Sequence, residues 1–373
     1  MIGGHSLYRA WRRLAYENCG PLRWAAPILA PCSWIYALAA SNKRRLRRWG
    51  ILPSRALPLP VVSVGNLTVG GVGKTPFSLF LAEGFIRRGL RPAILFRGYR
   101  RRSTESIILG SNDFDKNKIQ EYGDESALLS WISNTPIGIG RDRYAVGKRL
   151  LERWPCDVII LDDGFQHNQL QRVCDIVMLD AAAPLGNGYC LPYGPLREPP
   201  SVLSAADALV FHGDQFDEAW MDRLRLHQPH FMGNLNWVDI LSLEHWFDKK
   251  YSKGVPLAEW SGSEVVLLSG IGSPDRFHKQ ALAYGLKIVV HIVFPDHHWY
   301  TPEEAASISR RGPVLMTEKD AIRLLALDVP PMKNTFVVRA RWRMKDEDCF
   351  WQWLMLKIGF DYRPPSSVSS QQE

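Results

Sequence analysis

Residues 65–76 read GNLTVGGVGKTP. They follow an apolar run, LPVVSVGN (59–66), whose pattern predicts a buried strand, and lead into KTPFSLFLAEGFIRRG (74–89), which reads as a helix closed by Gly89. A glycine-rich turn between a buried strand and a helix is where a phosphate-binding loop must sit. Glycines let backbone N–H groups turn toward phosphate oxygens, and the helix N-terminus adds partial positive charge. The expected nucleotide-binding residues are Thr68, Val69, Gly70, Gly71, Val72, Gly73, Lys74 and Thr75. Lys74 can reach the β- and γ-phosphates, and the Thr75 hydroxyl can ligate Mg²⁺. The pattern G-x-x-x-x-G-K-[ST] is broken at its first position, where Thr68 stands.

The rest of the chain repeats the same rhythm. Strands are expected at 91–99, 135–140, 157–165, 174–180 and 207–213, and helices at 124–132 and 141–154. A second set follows, with strands at 264–272, 286–294, 312–320 and 334–344 and helices at 274–285 and 301–309. This alternation predicts an α/β protein: a P-loop-type parallel sheet with helices on both faces, plus a second, smaller α/β domain. The expected boundaries are an N-terminal segment 1–55, a nucleotide-binding domain 56–213, a linker 214–258, a C-terminal domain 259–355 and a disordered tail 356–373.

Charge is concentrated at the start. Residues 1–60 hold ten Lys/Arg and one acid, Glu17, which leaves 36 Lys/Arg and 37 Asp/Glu for the other 313 residues. A neutral body with a basic extension calls for an anionic partner, membrane headgroups or nucleic acid. Residues 24–40, WAAPILAPCSWIYALAA, carry no charge and are followed by KRRLRR (43–48). The stretch is short for a span and lacks a signal peptide's layout. An amphipathic or half-inserted helical hairpin fits, with Trp11, Trp24, Trp34 and Trp49 near the headgroups. The competing reading is a core-packing helix beside a solvated charge run. Six scattered cysteines without a C-x-x-C pair argue against a zinc site or disulfide framework, and favour a reduced, cytosolic setting.

DVIILDDGFQH (157–167) is an apolar strand ending in two carboxylates, as a Walker B element does, so Asp162 and Asp163 are candidate Mg²⁺ ligands. His167 lies near the same edge. GDES (123–126) sets Asp124 and Glu125 at a helix start, where Asp is usually structural. FPDHHWY (294–300) places Asp296, His297 and His298 after a strand, as a metal site or a capped turn. RGYRR (97–101) offers Arg97 to phosphate or to solvent, and PYGPLREP (192–199) carries Arg197 and Glu198 in a loop.

Together GNLTVGGVGKTP, RGYRR, GDES, DDGFQH, LPYGPLREP, FPDHHWY and TEKDAIR (317–323) follow the order of the tetraacyldisaccharide 4'-kinases, the lipid A 4'-kinases of Gram-negative bacteria. The chain resembles this family from about residue 5 to about residue 345, and departs from it at Val72 and at Ser126. The resemblance implies two α/β/α domains and a cleft between them. It implies transfer of the ATP γ-phosphoryl group to the 4'-hydroxyl of an acylated glucosamine disaccharide 1-phosphate. It also implies that Lys74 and Thr75 serve phosphate and Mg²⁺, and that Asp162 and Asp163 serve the metal. Asp124 becomes the base, paired with His297 of the second domain, and Arg197 and Glu198 become candidates for the substrate or nucleotide surroundings; Arg97 and His167 are further substrate candidates. The expected partners are that lipid and an anionic membrane at the cytoplasmic face of the inner membrane; neither nucleic acid nor an obligate protein partner is expected. A P-loop GTPase is the rival enzyme, but TEKD sets Lys one place too late for the guanine-selecting motif. A nucleic-acid-binding protein is the non-enzymatic rival.

Overall fold

The computed structural model describes residues 3–49, 51, 53–327 and 332–362. In chain order the elements are α1 (Gly3–Glu17), α2 (Ala26–Arg48), β1 (Val61–Asn66), α3 (Lys74–Arg87), β2 (Pro92–Phe96), β3 (Ile107–Leu109), α4 (Ile119–Tyr122), α5 (Asp124–Ile132), β4 (Ile137–Ile139), α6 (Arg143–Arg153), β5 (Val158–Asp162), β6 (Cys174–Asp180) and β7 (Ala208–His212). Then come α7 (Ala219–Arg223), β8 (His230–Ser242), α8 (Leu243–Phe247), β9 (Val255–Pro256), β10 (Glu264–Ser269), α9 (Pro274–Ala283), β11 (Lys287–Val293), α10 (Pro302–Ser309), β12 (Val314–Thr317), α11 (Glu318–Leu325), β13 (Thr335–Met344) and α12 (Glu347–Ile358).

The chain forms two compact units, and both are discontinuous. Unit 1 takes residues 1–95, 142–234 and 343–373; unit 2 takes 96–141 and 235–342. The expected continuous domain 56–213 is therefore corrected: residues 96–141 leave it for unit 2. So is the expected linker 214–258, which holds β8, thirteen residues long and anchored by buried Trp237, Ile240 and Leu241. The expected C-terminal domain 259–355 loses its end to unit 1. There Phe350 and Trp351 of α12 pack against Phe77, Phe80 and Phe85 of α3. Gly84 makes that contact possible, because a Cβ there would lie 1.9 Å from the Trp351 ring. Of the expected tail 356–373, residues 356–358 complete α12, while 363–373 lie outside the described residues.

In unit 1 the strands run β2-β5-β1-β6-β7-β8, every neighbour parallel. Parallel strands buried on both faces read as continuous apolar runs, and β1, β5 and β7 are buried throughout. Val64 of β1 pairs with Asp162 of β5, so the loops after both strands leave the same sheet edge.

The N-terminal helices belong to this unit, which corrects the separate segment 1–55. Leu14 and Ala15 are buried, Asn187 N donates to the Ala15 carbonyl, and the Ser33 hydroxyl donates to the Cys190 carbonyl at 2.7 Å. Trp11, expected near headgroups, instead donates its indole N–H to the Pro192 carbonyl at 2.8 Å. Trp24, Trp34 and Trp49 are exposed, each by at least 66%. On α2, Ser33, Ala37 and Arg44 face inward, while Ile28, Ile35 and Leu38 face outward at helical spacing. The stretch Arg23–Leu46 is long and apolar enough to cross a membrane by length and composition.

In unit 2 the parallel order is β11-β10-β12-β13, and β3 pairs antiparallel with β4. Its core gathers Trp237, Ile240, Val265, Leu267, Phe277 and Leu315 among others. Residues 312–320, expected as one strand, end theirs at Thr317. The Thr317 hydroxyl then caps α11 by accepting from Asp320 N.

Candidate functional site

In unit 1 the loop after β1 turns into α3 through Gly73, which caps the helix at φ +89° in the left-handed region; Gly70 sits at φ +128°. Two outside segments hold the loop. Val69 N donates to the Pro195 carbonyl at 2.7 Å and Arg197 N to the Leu67 carbonyl at 2.8 Å. The Tyr16 hydroxyl donates to the Val69 carbonyl. Thr68 is buried, and it bridges to Leu196. Val72 also buries its side chain and places its carbonyl 3.2 Å from His212 Nδ1. The apolar residue at this position thus points into the protein. Gly71 has no atom within 4 Å of where a Cβ would sit.

Lys74 opens α3. Its ammonium lies 3.0 Å from Asn66 Oδ1 and 3.3 Å from Asp163 Oδ1. Asp163 itself adopts φ +51°, and Arg197 reaches both its oxygens at 3.0 Å. Burial pushes the Asp163 carboxyl up, but the charges of Lys74 and Arg197 outweigh it and hold the group well below the usual carboxylate range. Asp162 is buried at the end of β5 and accepts from the Thr75 hydroxyl at 3.3 Å and the Ser78 hydroxyl at 3.2 Å. Close approach of the two loops depends on Gly65, where a Cβ would lie 2.4 Å from Phe165 Cβ.

A hydroxyl and a carboxylate side by side at a phosphate loop are hard oxygen donors. They fit Mg²⁺, which takes one or two protein ligands and fills its shell with phosphate and water. The two expected metal-side acids thus differ: Asp162 faces Thr75, while Asp163 is tied to Lys74 and Arg197. Among the described residues no group of three or more His, Cys, Asp or Glu side chains gathers as a metal cage.

The expected substrate residues are dispersed. Glu198 is buried and forms an ion pair with Arg44 of α2, which also donates to the Phe165 carbonyl. Part of the basic run is thereby neutralised inside the protein rather than offered to an outside anion. His167 Nδ1 lies 3.2 Å from Arg143 Nη1. Arg97 is exposed and belongs to unit 2.

Unit 2 holds the other candidate centre. Asp124 is the first residue of α5, with Gly123 as the cap, and is 4% exposed. His297 Nδ1 lies 2.8 Å from Asp124 Oδ2 and 3.0 Å from Oδ1. Sequence reasoning placed the two in different domains; both belong to unit 2, so the pair forms within one unit. His298 bonds Glu304 at 2.9 Å, so the two histidines face different carboxylates. Arg323 Nε donates to Asp124 Oδ2 at 3.0 Å, and Lys319 bonds Glu125 at 2.6 Å. Burial raises the Asp124 carboxyl, but the hydrogen bond from His297 and the charges of Arg323 and Lys319 hold it well below the usual range.

Sequence reasoning missed Arg323 and Asp320, although both stand in the TEKDAIR motif. Asp320 is wholly buried and accepts from Tyr300, Thr317 and Gly270 N. A carboxylate buried and engaged in this way is out of reach of a guanine base, which argues against TEKD as a guanine-selecting element.

The family model for tetraacyldisaccharide-1-P 4'-kinase matches residues 25–359. The chain belongs to this family. A tetraacyldisaccharide 4'-kinase from Chromobacterium violaceum is 36% identical over 340 residues, covering 90% of this chain and 96% of that protein. One from Pseudomonas aeruginosa is 38% identical over 304 residues, covering 81% and 85%. The crystal structure of LpxK from Aquifex aeolicus in complex with ATP matches with a TM-score of 0.72 at 30% identity, covering 91% of this chain and all of that one. The α/β architecture is thus that of a kinase family, and the GTPase reading falls away.

Proposed function

We propose that this chain is an ATP-dependent lipid kinase. It transfers the γ-phosphoryl group to the 4'-hydroxyl of a tetraacylated glucosamine disaccharide 1-phosphate and gives a bisphosphorylated lipid A precursor. The observation that carries this reading is the phosphate loop whose Lys74 is paired with Asp163 and whose Thr75 meets Asp162, in a chain of this family.

Phosphoryl transfer asks a protein for positioning and charge neutralisation more than for covalent chemistry. Backbone N–H groups of residues 70–75 bind the phosphates, and the Lys74 ammonium neutralises charge there. Mg²⁺, held by Thr75 and Asp162, supplies charge stabilisation at the transferring oxygens when bound. Asp163, itself fixed by Arg197, keeps Lys74 in place between turnovers. The Asp124–His297 pair accepts the proton of the sugar hydroxyl. Glu198, locked to Arg44, ties the 192–199 loop to α2 while the backbone of Pro195 and Arg197 holds it against the phosphate loop; Arg97 and His167 are assigned to the substrate headgroup.

The outward stripe of α2, with Trp24 and Trp34, meets the acyl region of an anionic bilayer, and Arg45 lies at headgroup level. These features support a position on the cytoplasmic face of the bacterial inner membrane, within reach of an acylated substrate. The deciding experiment incubates the purified full chain with ATP, Mg²⁺ and the disaccharide 1-phosphate lipid. A product carrying a second phosphate supports the reading; ATP turnover that never depends on the lipid, with no such product, refutes it.

A further inference from the structure

Arg323 is 0% exposed, lies in a helix the sequence pattern concealed, and contacts the proton-accepting pair. We propose that Arg323 is a positioning residue that fixes both members of the Asp124–His297 pair. It holds the carboxylate directly and, through the Gly270 carbonyl, the backbone that carries His297. The proposal rests on the reading of that pair as the proton acceptor.

The guanidinium works in two directions. Nε donates to Asp124 Oδ2 at 3.0 Å, and Nη1 donates to the Gly270 carbonyl at 2.6 Å. The same carbonyl accepts from His297 N at 3.3 Å. His297 needs that anchor, because its φ of +63° is a conformation that non-glycine residues rarely adopt. Asp320 locks the other side: its Oδ1 lies 3.2 Å from Arg323 Nη1 and accepts from Gly270 N at 2.9 Å. The junction has no spare room. A Cβ on Gly270 would lie 2.9 Å from Arg323 Nη1 and 3.3 Å from the Pro295 carbonyl.

A buried ion network of this kind is weak evidence for stability, since desolvation offsets the attraction. Its geometry is specific, however. A planar fork serves divergent acceptors that a single ammonium cannot reach together. The charged and titratable groups around Asp124 are Glu125 on its own helix, Lys319, Asp320 and Arg323 from α11, and Asp296 and His297 after β11. Arg100 donates to the Asp296 carbonyl, Tyr99 packs edge-on to the His297 ring, and Tyr300 donates to Asp320. Among these Arg323 is the cation bonded directly to Asp124.

The test compares kcat and KM against pH for Arg323→Gln, Arg323→Lys, Asp320→Asn and His297→Ala in the full chain. Arg323→Gln is expected to lower kcat about 10²-fold, the cost of misplacing a catalytic group by about 1 Å. KM for ATP should stay within about threefold, since uniform binding is untouched. The acid limb of kcat should move to higher pH by about one unit or more, because a cation that favoured the ionised carboxylate is gone. Arg323→Lys should return the limb toward its original position while leaving kcat low, because charge is restored and the fork is not. An unmoved limb, or a kcat that falls only in proportion to unfolded protein, overturns the proposal. If Arg323→Gln does not fold, Asp320→Asn releases the guanidinium without removing it. It must then lower kcat at unchanged KM for ATP, and a wild-type kcat overturns the proposal. Full activity in His297→Ala would instead sink the underlying reading of the pair, and this inference with it.

Discussion

His297 Nδ1 lies 2.8 Å from Asp124 Oδ2, although the two residues are 173 positions apart. Both sit in one unit, so the bond needs no movement of one unit against the other. Residues that act as one device lose most of their effect when either is removed. Asp124→Ala, His297→Ala and the double variant should therefore show kcat values within about tenfold of one another. ATP affinity should change little. Single losses that multiply in the double variant would show two independent roles, which steady-state kinetics on all three proteins will reveal.

Lys74→Ala should abolish turnover. No other residue of residues 68–75 carries a cation, and its loss also strips Asp163 of a charged partner. Activity near that of the wild type, measured with saturating ATP and lipid, would contradict the phosphate-loop assignment.

The two acids at the end of β5 should separate in their metal dependence. Asp162→Asn weakens the oxygen pair with Thr75, so kcat should fall roughly 10²-fold or more at limiting Mg²⁺, with partial recovery as Mg²⁺ rises. Asp163→Asn removes the counter-charge of Lys74 and Arg197, so its loss should not recover with Mg²⁺. A Mg²⁺ titration of both variants reads the difference directly.

Acid should weaken the fold through Asp124 and Asp163. Both carboxyls lie below their ordinary value of 3.8 in the folded chain. The unfolded state therefore binds more protons as pH falls. The stability they contribute is fully present above about pH 5 and is lost progressively below about pH 4. Urea unfolding midpoints should hold steady from pH 7 to 5 and drop below 4, and Asp163→Asn should flatten that drop. An equally steep drop in this variant would assign the acid sensitivity to other groups.

The N-terminal helices call for surface changes rather than deletion. Removing residues 1–40 would strip buried Leu14, Ala15 and Ser33 from unit 1 along with the exposed stripe. Trp34→Ser with Ile35→Ser alters only outward residues. This double variant should unfold at the wild-type temperature, bind anionic vesicles at least about tenfold more weakly, and lose activity on the acylated lipid. Unchanged vesicle binding would place the membrane contact elsewhere.

Much of the local structure was legible because local rules wrote it. The helix expected at 124–132 and the strand at 174–180 are α5 and β6, residue for residue. The glycine-rich loop after β1 and the two acids at the end of β5 stand where the spacing of strand and helix predicts them. What escaped was set by partners distant in sequence. Arg323 meets Asp124 across 199 positions, and nothing in TEKDAIR marks its arginine as buried. The strand β8 mixes Asn234 and Asn236 into its apolar run, because several of its residues are only half-buried. The excursion of residues 96–141 also stays hidden, since the strand and helix rhythm continues unbroken across it.

The return of α12 to α3 bears on how the chain is made. Helix α3 emerges from the ribosome early, with Phe77, Phe80 and Phe85 on a face that waits for Phe350 and Trp351. Unit 1 cannot close its aromatic core until α12 has followed α3 out, whereas every segment of unit 2 is already available by residue 342. At roughly 5–20 residues per second, that face of unit 1 stays uncovered for tens of seconds. During that interval the nascent chain, rather than the finished enzyme, is the species most exposed to aggregation and to chaperones.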